Sequence, residues 1–196
     1  MPHPVPTPPV EVFILAGGRS SRFGFDKALA RWQGKTLLEH ALGAVAPLGL
    51  PTRVVTRDPV PYAPWTTAFV LGERQGLGPV EAVRAALEGS LAPWGLFLTV
   101  DMPGAGPLIR PLILAVNSVD QDVNLICYAD SEGLPQPFPG LYRQDLLPRI
   151  AELGPGASMY ALQDRGVPRV FGPRDVPGVP DWNAVLRNVN APGDLV

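Results

Sequence analysis

Val12-Phe13-Ile14-Leu15-Ala16-Gly17-Gly18-Arg19-Ser20-Ser21-Arg22-Phe23-Gly24-Phe25-Asp26-Lys27 is the stretch on which the reading of the fold turns. Its apolar opening, Val12 to Leu15, has no polar interruption, the pattern of a strand buried on both faces. The run stops at Ala16-Gly17-Gly18, where the backbone can take positive φ without a steric penalty. Two hydroxyls and two guanidiniums follow at Arg19, Ser20, Ser21 and Arg22, then Gly24 and Lys27. Small residues let a backbone approach a ligand, exposed N–H groups form an anion-binding concavity, and Arg or Lys supplies charge to phosphate oxygens. The residues therefore read as a polyphosphate cradle, with an ordinary glycine turn flanked by solvated arginines as the other reading of the same spacing.

Two better-known cradles are excluded. The Walker pattern needs a glycine five residues before the glycine of Gly34-Lys35-Thr36, where Leu29 stands, and no G-x-G-x-x-G occurs in the chain. The run Leu15 to Lys27 instead resembles the L-A-G-G-x-S-x-R-M-G-x-D-K signature of the nucleotidyltransferases, and within them is most similar to the molybdenum cofactor guanylyltransferase (MobA) family. It departs at Phe23, where that family usually has Met.

Further along, Thr36 is a candidate N-cap, with Leu37, Leu38, Ala41, Leu42 and Val45 at helical spacing. Strands are expected at Thr52 to Thr56, Ala68 to Leu71 and Leu96 to Val100, with helices from Val80 to Leu87 and Leu108 to Val116. Val123 to Tyr128 and Pro137 to Tyr142 read as paired strands, Asp145 to Leu153 and Ala157 to Asp164 as short helices, and Val167 to Phe171 as a strand. A short apolar stretch, Val185 to Val189, leads into a closing turn.

Strands alternating with helices imply a three-layer α/β/α domain of Rossmann-like type. Its mostly parallel sheet is covered on both faces and joined by right-handed crossovers. Ligands of such sheets sit outside the carboxyl ends of the strands. The Gly17 loop, the Gly76 loop and Asp101 would all lie there.

Asp101, at the end of a strand and followed by Met102-Pro103, is exposed, hydrogen-bonded to nearby N–H groups, or bound to a cation, because a buried unpaired carboxylate is costly. The resemblance implies the last, with Mg²⁺ held against the triphosphate and Asn190 as a second candidate ligand. Gly76-Leu77-Gly78-Pro79-Val80-Glu81-Ala82 resembles the family's guanine-binding G-P-L-A-G. Gly78 and Pro79 match, whereas Glu81 and Ala82 depart from it. Glu73 reads by itself as a solvated loop glutamate; the resemblance places it where a family aspartate reaches the guanine N1 and N2 donors. Asn188-Val189-Asn190-Ala191-Pro192-Gly193-Asp194-Leu195 resembles N-x-N-T-P-x-D-L, and on an extended segment Asn188 and Asn190 point to one side. Gln136 to Tyr142 also matches the segment before the family's late helix.

The resemblance covers nearly the whole chain after residue 10. It implies transfer of GMP from GTP to molybdopterin, with release of pyrophosphate. Arg22, Lys27 and Asp101 would be catalytic. Leu15, Ala16, Gly17, Gly18, Arg19, Ser20, Lys27, Glu73, Gly78, Pro79 and Asp101 would bind nucleotide, and Asn188 and Asn190 would face molybdopterin. Other molybdenum cofactor biosynthesis proteins are the implied protein partners. A CTP-dependent cytidylyltransferase acting on molybdopterin or on a sugar or polyol phosphate is the nearest alternative, and a non-catalytic nucleotide-binding adaptor the next.

The whole chain sets the remaining bounds. Its 196 residues suit one domain, taken as 10–196 after a mobile proline-rich tail at 1–9. The 25 prolines and 21 glycines fall between apolar runs, so they punctuate short elements rather than form disordered tracts. A net charge of -2 gives no electrostatic support for nucleic-acid binding. One cysteine, Cys127, excludes an internal disulfide, and no apolar run approaches a membrane span. Met1 to Pro9 lacks the apolar core of a signal peptide, so a soluble cytoplasmic protein is expected. Two histidines and scattered serines offer neither a metal cluster nor an activated nucleophile.

Overall fold

A computed structural model describes residues 9–16, 24–71, 78–179 and 181–195. The first of its strands, β1 (Val10–Leu15), is the apolar run expected from the opening stretch. Its side chains alternate between two cores. Val10, Val12 and Ile14 join one buried cluster and Phe13 the other, which explains why the run carries no polar face.

After β1 the chain makes a 3-10 turn at Lys27–Leu29 and a small antiparallel pair, β2 (Arg31–Trp32) with β3 (Lys35–Thr36). Helix α1 (Leu37–Val45) then begins on a complete capping box, in which Thr36 Oγ1 accepts from the Glu39 N–H and Glu39 accepts from the Thr36 N–H. The expected N-cap is present, and Glu39 completes it. Next come β4 (Thr52–Thr56), β5 (Phe69–Leu71), α2 (Pro79–Glu88), β6 (Trp94–Thr99) and α3 (Gly106–Ala115). The second half comprises β7 (Leu125–Ala129), β8 (Pro135–Arg143), α4 (Leu147–Ala151), α5 (Met159–Gln163), β9 (Pro168–Phe171) and α6 (Trp182–Val185).

The seven-stranded sheet runs β5-β4-β1-β6-β8-β7-β9. Neighbours are parallel except for β8, which is antiparallel to both β6 and β7. The cluster on one face takes in residues of α1, α3 and α6, and the cluster on the other those of α2, α4 and α5, giving the expected three layers. From β1 the chain first builds outward to β4 and β5, then returns to lay β6 on the other side of β1. That reversal opens a crevice at the carboxyl ends of β1 and β6.

Three expectations shift. The strand expected from Val123 starts at Leu125, because the Val123 N–H closes a turn onto Asp120 at 3.1 Å. The helix expected over Asp145–Leu153 is a 3-10 turn at Gln144–Leu146 followed by α4. The apolar stretch expected from Val185 starts on the last residue of a helical turn, where Asp181 caps α6 through the Ala184 N–H at 2.9 Å. Among the described residues no helix is long and apolar enough to cross a membrane. Residues 1–8 of the expected tail lie outside the described residues.

Candidate active site

Leu15 and Thr99 are register partners at the carboxyl ends of β1 and β6. Asp101 follows β6 by two residues, and Lys27 opens the 3-10 turn Lys27–Leu29 downstream of β1. Across 74 residues of sequence, Lys27 Nζ donates to Asp101 Oδ2 at 3.0 Å. The other oxygen, Asp101 Oδ1, is buried and has no hydrogen-bond partner among the described residues. An acceptor left in that state costs about 1–3 kcal/mol. Among the described residues the carboxylate is thus half engaged, with one hard oxygen unpartnered at the crevice.

Lys27 owes its position to its neighbours. Asp26 caps the turn by accepting from the Ala28 N–H through Oδ1 at 3.0 Å, while Ala28 and Ala30 are buried in the core beneath it. The Leu37 N–H donates to the Ala30 carbonyl at 2.9 Å, closing the β2–β3 excursion back on itself. Asp26 Oδ2 accepts from the hydroxyl of Tyr62 at 2.5 Å. Burial first, and then this bond to Asp26, push the phenol well above its ordinary value, so it stays a donor.

The C-terminal segment reaches the same place. The Val189 N–H donates to the Asp101 carbonyl at 2.8 Å, and Val189 is buried, with Asn188 and Asn190 exposed on either side of it. Gly104 permits this approach: a Cβ there would stand 2.9 Å from the Ala184 carbonyl oxygen. Beyond the asparagines, Asp194 Oδ2 accepts from the N–H groups of Asn190 at 2.7 Å and Ala191 at 2.9 Å. Those two bonds hold the Asp194 carboxyl below the usual aspartate range, the Asn190 bond contributing most.

Gly78 and Pro79 begin α2, which follows β5, so they stand on the carboxyl edge two strands from β1. Gly78 has φ of +80°, a conformation that L side chains rarely adopt. Glu81, the departure from the base-binding pattern, is ion-paired to Arg84, which also reaches Glu88 at 2.6 Å. These partners lie along a partly buried flank of α2, and they raise the Arg84 guanidinium above its ordinary value, Glu81 foremost.

Comparisons with known proteins agree with this geometry. The family described as "MobA-like NTP transferase domain" matches residues 12–174, from β1 through Lys27 and Asp101 to the end of the sheet, short of the C-terminal asparagines. The chain belongs to this family. A protein of Deinococcus radiodurans named "Probable molybdenum cofactor guanylyltransferase" is 35% identical over 147 residues, covering 74% of this chain and 73% of its own length. One of Mycobacterium marinum with the same name is 32% identical over 191 residues, covering 93% and 89%. Molybdopterin-guanine dinucleotide biosynthesis protein A of Archaeoglobus fulgidus superimposes with a TM-score of 0.78 at 19% identity, over 94% of both chains, a likeness of fold.

As a MobA-like NTP transferase the chain is a nucleotidyltransferase. Of the residues expected at its site, Lys27 and Asp101 are in contact, and Asn188 and Asn190 flank the residue bonded to Asp101. Leu15 ends β1 and Ala16 follows it, with the Ala16 N–H on the Val55 carbonyl at 2.9 Å. Gly17, Gly18, Arg19, Ser20, Arg22 and Glu73 lie outside the described residues. Tyr62, Gly104 and Asp194 are the residues that sequence reasoning left without a role. Asp194 had a readable signal, a carboxylate placed to cap the N–H groups just before it. Tyr62 had none.

Proposed function

We propose that this chain transfers GMP from GTP to the terminal phosphate of molybdopterin and releases pyrophosphate. The observation that carries the reading is the half-engaged carboxylate. Asp101 binds Lys27 with one oxygen and keeps the other unpartnered among the described residues, beside two exposed asparagines, at the point where the strand order reverses. The names of the relatives supply the guanylyl group and the molybdenum cofactor acceptor.

In this reading an oxygen of the acceptor phosphate attacks the α-phosphorus of GTP. The new bond forms between that oxygen and phosphorus, and the bond from phosphorus to the β-phosphate bridging oxygen breaks. Lys27 neutralises charge that builds on the leaving oxygens, with Arg22 and the Gly17-Gly18 backbone as further donors in the same role. Asn188 and Asn190 offer amide donors and acceptors to the acceptor. Asp101 Oδ1 fits Mg²⁺, which when bound would neutralise the triphosphate. Among the described residues no three His, Cys, Asp or Glu side chains gather as metal ligands, and Mg²⁺ needs only one or two carboxylates when phosphate oxygens complete its shell. Glu73 and Gly78 border the base. The compartment this reading assigns is the cytoplasm.

Calorimetric titration of GTP and of CTP, each with Mg²⁺, into the purified protein tests the reading. Binding of GTP but not CTP, lost in Glu73→Gln, is the expected result. Preference for CTP would move the chain to cytidylyl transfer. The absence of binding by either nucleotide would overturn both transferase readings.

A further inference from the structure

The turn that carries Lys27 is held down by more than its tyrosine–aspartate contact. Ala28 and Ala30 already bury it, and the Leu37 N–H ties its exit to the Ala30 carbonyl. Asp26 caps the turn with one oxygen. Its second oxygen is taken by a residue from a different part of the chain. Tyr62 closes the 3-10 turn Val60–Tyr62 in the connection between β4 and β5, 36 residues away, and is 1% exposed. The contact therefore fixes the direction of Asp26 itself, the residue immediately before Lys27, from the side of the neighbouring strand connection. A lysine has four side-chain torsions and reaches Asp101 only if its backbone starts in the right place.

We propose that Tyr62 and Asp26 are positioning residues, whose hydrogen bond aims Lys27 at Asp101 and so at the reacting phosphates. Its kinetic consequence rests on the nucleotidyl-transfer reading above. Its geometric consequence does not. Charge stabilisation in a transition state depends on donors held in place before the reaction, and small displacements of such donors lower the rate with little effect on folding. Tyr62→Phe keeps the buried ring and deletes the hydroxyl, which besides its bond to Asp26 also meets the Thr56 side chain.

The chain contains just two lysines, Lys27 and Lys35, so protein grown on lysine labelled at Cε gives two side-chain signals by carbon-detected NMR. Lys35→Arg assigns them. In ligand-free Tyr62→Phe the Lys27 signal should move toward its position in Asp101→Asn, with the thermal midpoint close to wild type. GMP transfer by the same variant should show kcat lowered about tenfold with KM for GTP nearly unchanged. The loss should vanish when Tyr62→Phe is made in a Lys27→Gln background, because the tyrosine then has nothing to aim.

A Lys27 signal unmoved by Tyr62→Phe overturns the proposal. So does an equal fold-loss in both backgrounds, which is what a merely structural tyrosine would give. If the signal moves but the wild type transfers no GMP, the positioning role stands and the assigned reaction falls. Should Tyr62→Phe fail to fold, Asp26→Ser carries the same readouts, since serine can still cap the Ala28 N–H but lacks the second oxygen.

Discussion

The ion pair between Lys27 and Asp101 is partly open to solvent, with side chains 15% and 26% exposed. Pairs of that kind contribute about 0–1 kcal/mol to folding. Stability therefore gives little reason to bring together two loops so far apart in sequence, whereas phosphate chemistry gives a strong one. Lys27→Ala should lower kcat by roughly 10²–10³-fold, the cost of one preorganised charge-stabilising donor. Asp101→Asn should do so comparably, since an amide keeps the shape and loses the charge. Pyrophosphate release measures the first effect. Thermal unfolding should show both variants within about 4 °C of wild type, as expected for a change near 1 kcal/mol or less. Cys127 is a residue of the opposite kind: burial pushes its thiol up to about 12, so it is a core side chain and no nucleophile at neutral pH.

The closing turn shows how one carboxylate fixes the backbone of the segment that reaches Asp101. Asp194 gathers the N–H groups of Asn190 and Ala191, and its neighbour Arg187 lies 3.6 Å from its other oxygen. Because the folded carboxyl titrates below its ordinary value, the turn is fully held above about 3.9, the usual aspartate pKa, and is released as pH falls through the lower folded value. Asp194→Asn should weaken the acceptor about fivefold, the effect of a lost cap, while GTP binding stays as in wild type. Saturation kinetics in each substrate separately check this. Equal losses for both substrates would mean that the turn supports the whole crevice. The alternation of Asn188 and Asn190, exposed on either side of buried Val189, was legible from their spacing. The contact that brings the pair to Asp101 was not, since it runs through the backbone of Val189 and the close approach at Gly104, which no side-chain pattern records. For the same reason Tyr62, in a proline-rich connection without periodicity, could not be read as a neighbour of Asp26.

Within the sheet, function and stability sit at opposite ends of one strand. The alternation of β1 between two cores, the order of strands and helices and the pairing of β7 with β8 were readable from the sequence, whereas the antiparallel placing of β8 beside β6 was not. A hairpin return and a crossover differ only in the length and content of what joins them. At the amino end of β1, Glu11 is 6% exposed and joins three segments: it accepts from Arg53 of β4 at 2.6 Å, and from the Ser90 hydroxyl at 2.9 Å and the Leu91 N–H at 3.2 Å in the turn before β6. Arg53 in turn reaches the Gly89 carbonyl at 2.8 Å and lies over the Phe13 ring. Removing one partner of a buried pair leaves the other charge uncompensated, so Glu11→Ala should lose about 3 kcal/mol of folding stability in urea titration. Its kcat per folded molecule should match wild type, because the carboxyl ends of β1 and β6 are anchored by their own ladder rather than by this cluster. A fall in kcat at full folding would show instead that the register between β1 and β6, set at the amino end, governs the distance from Lys27 to Asp101 at the other.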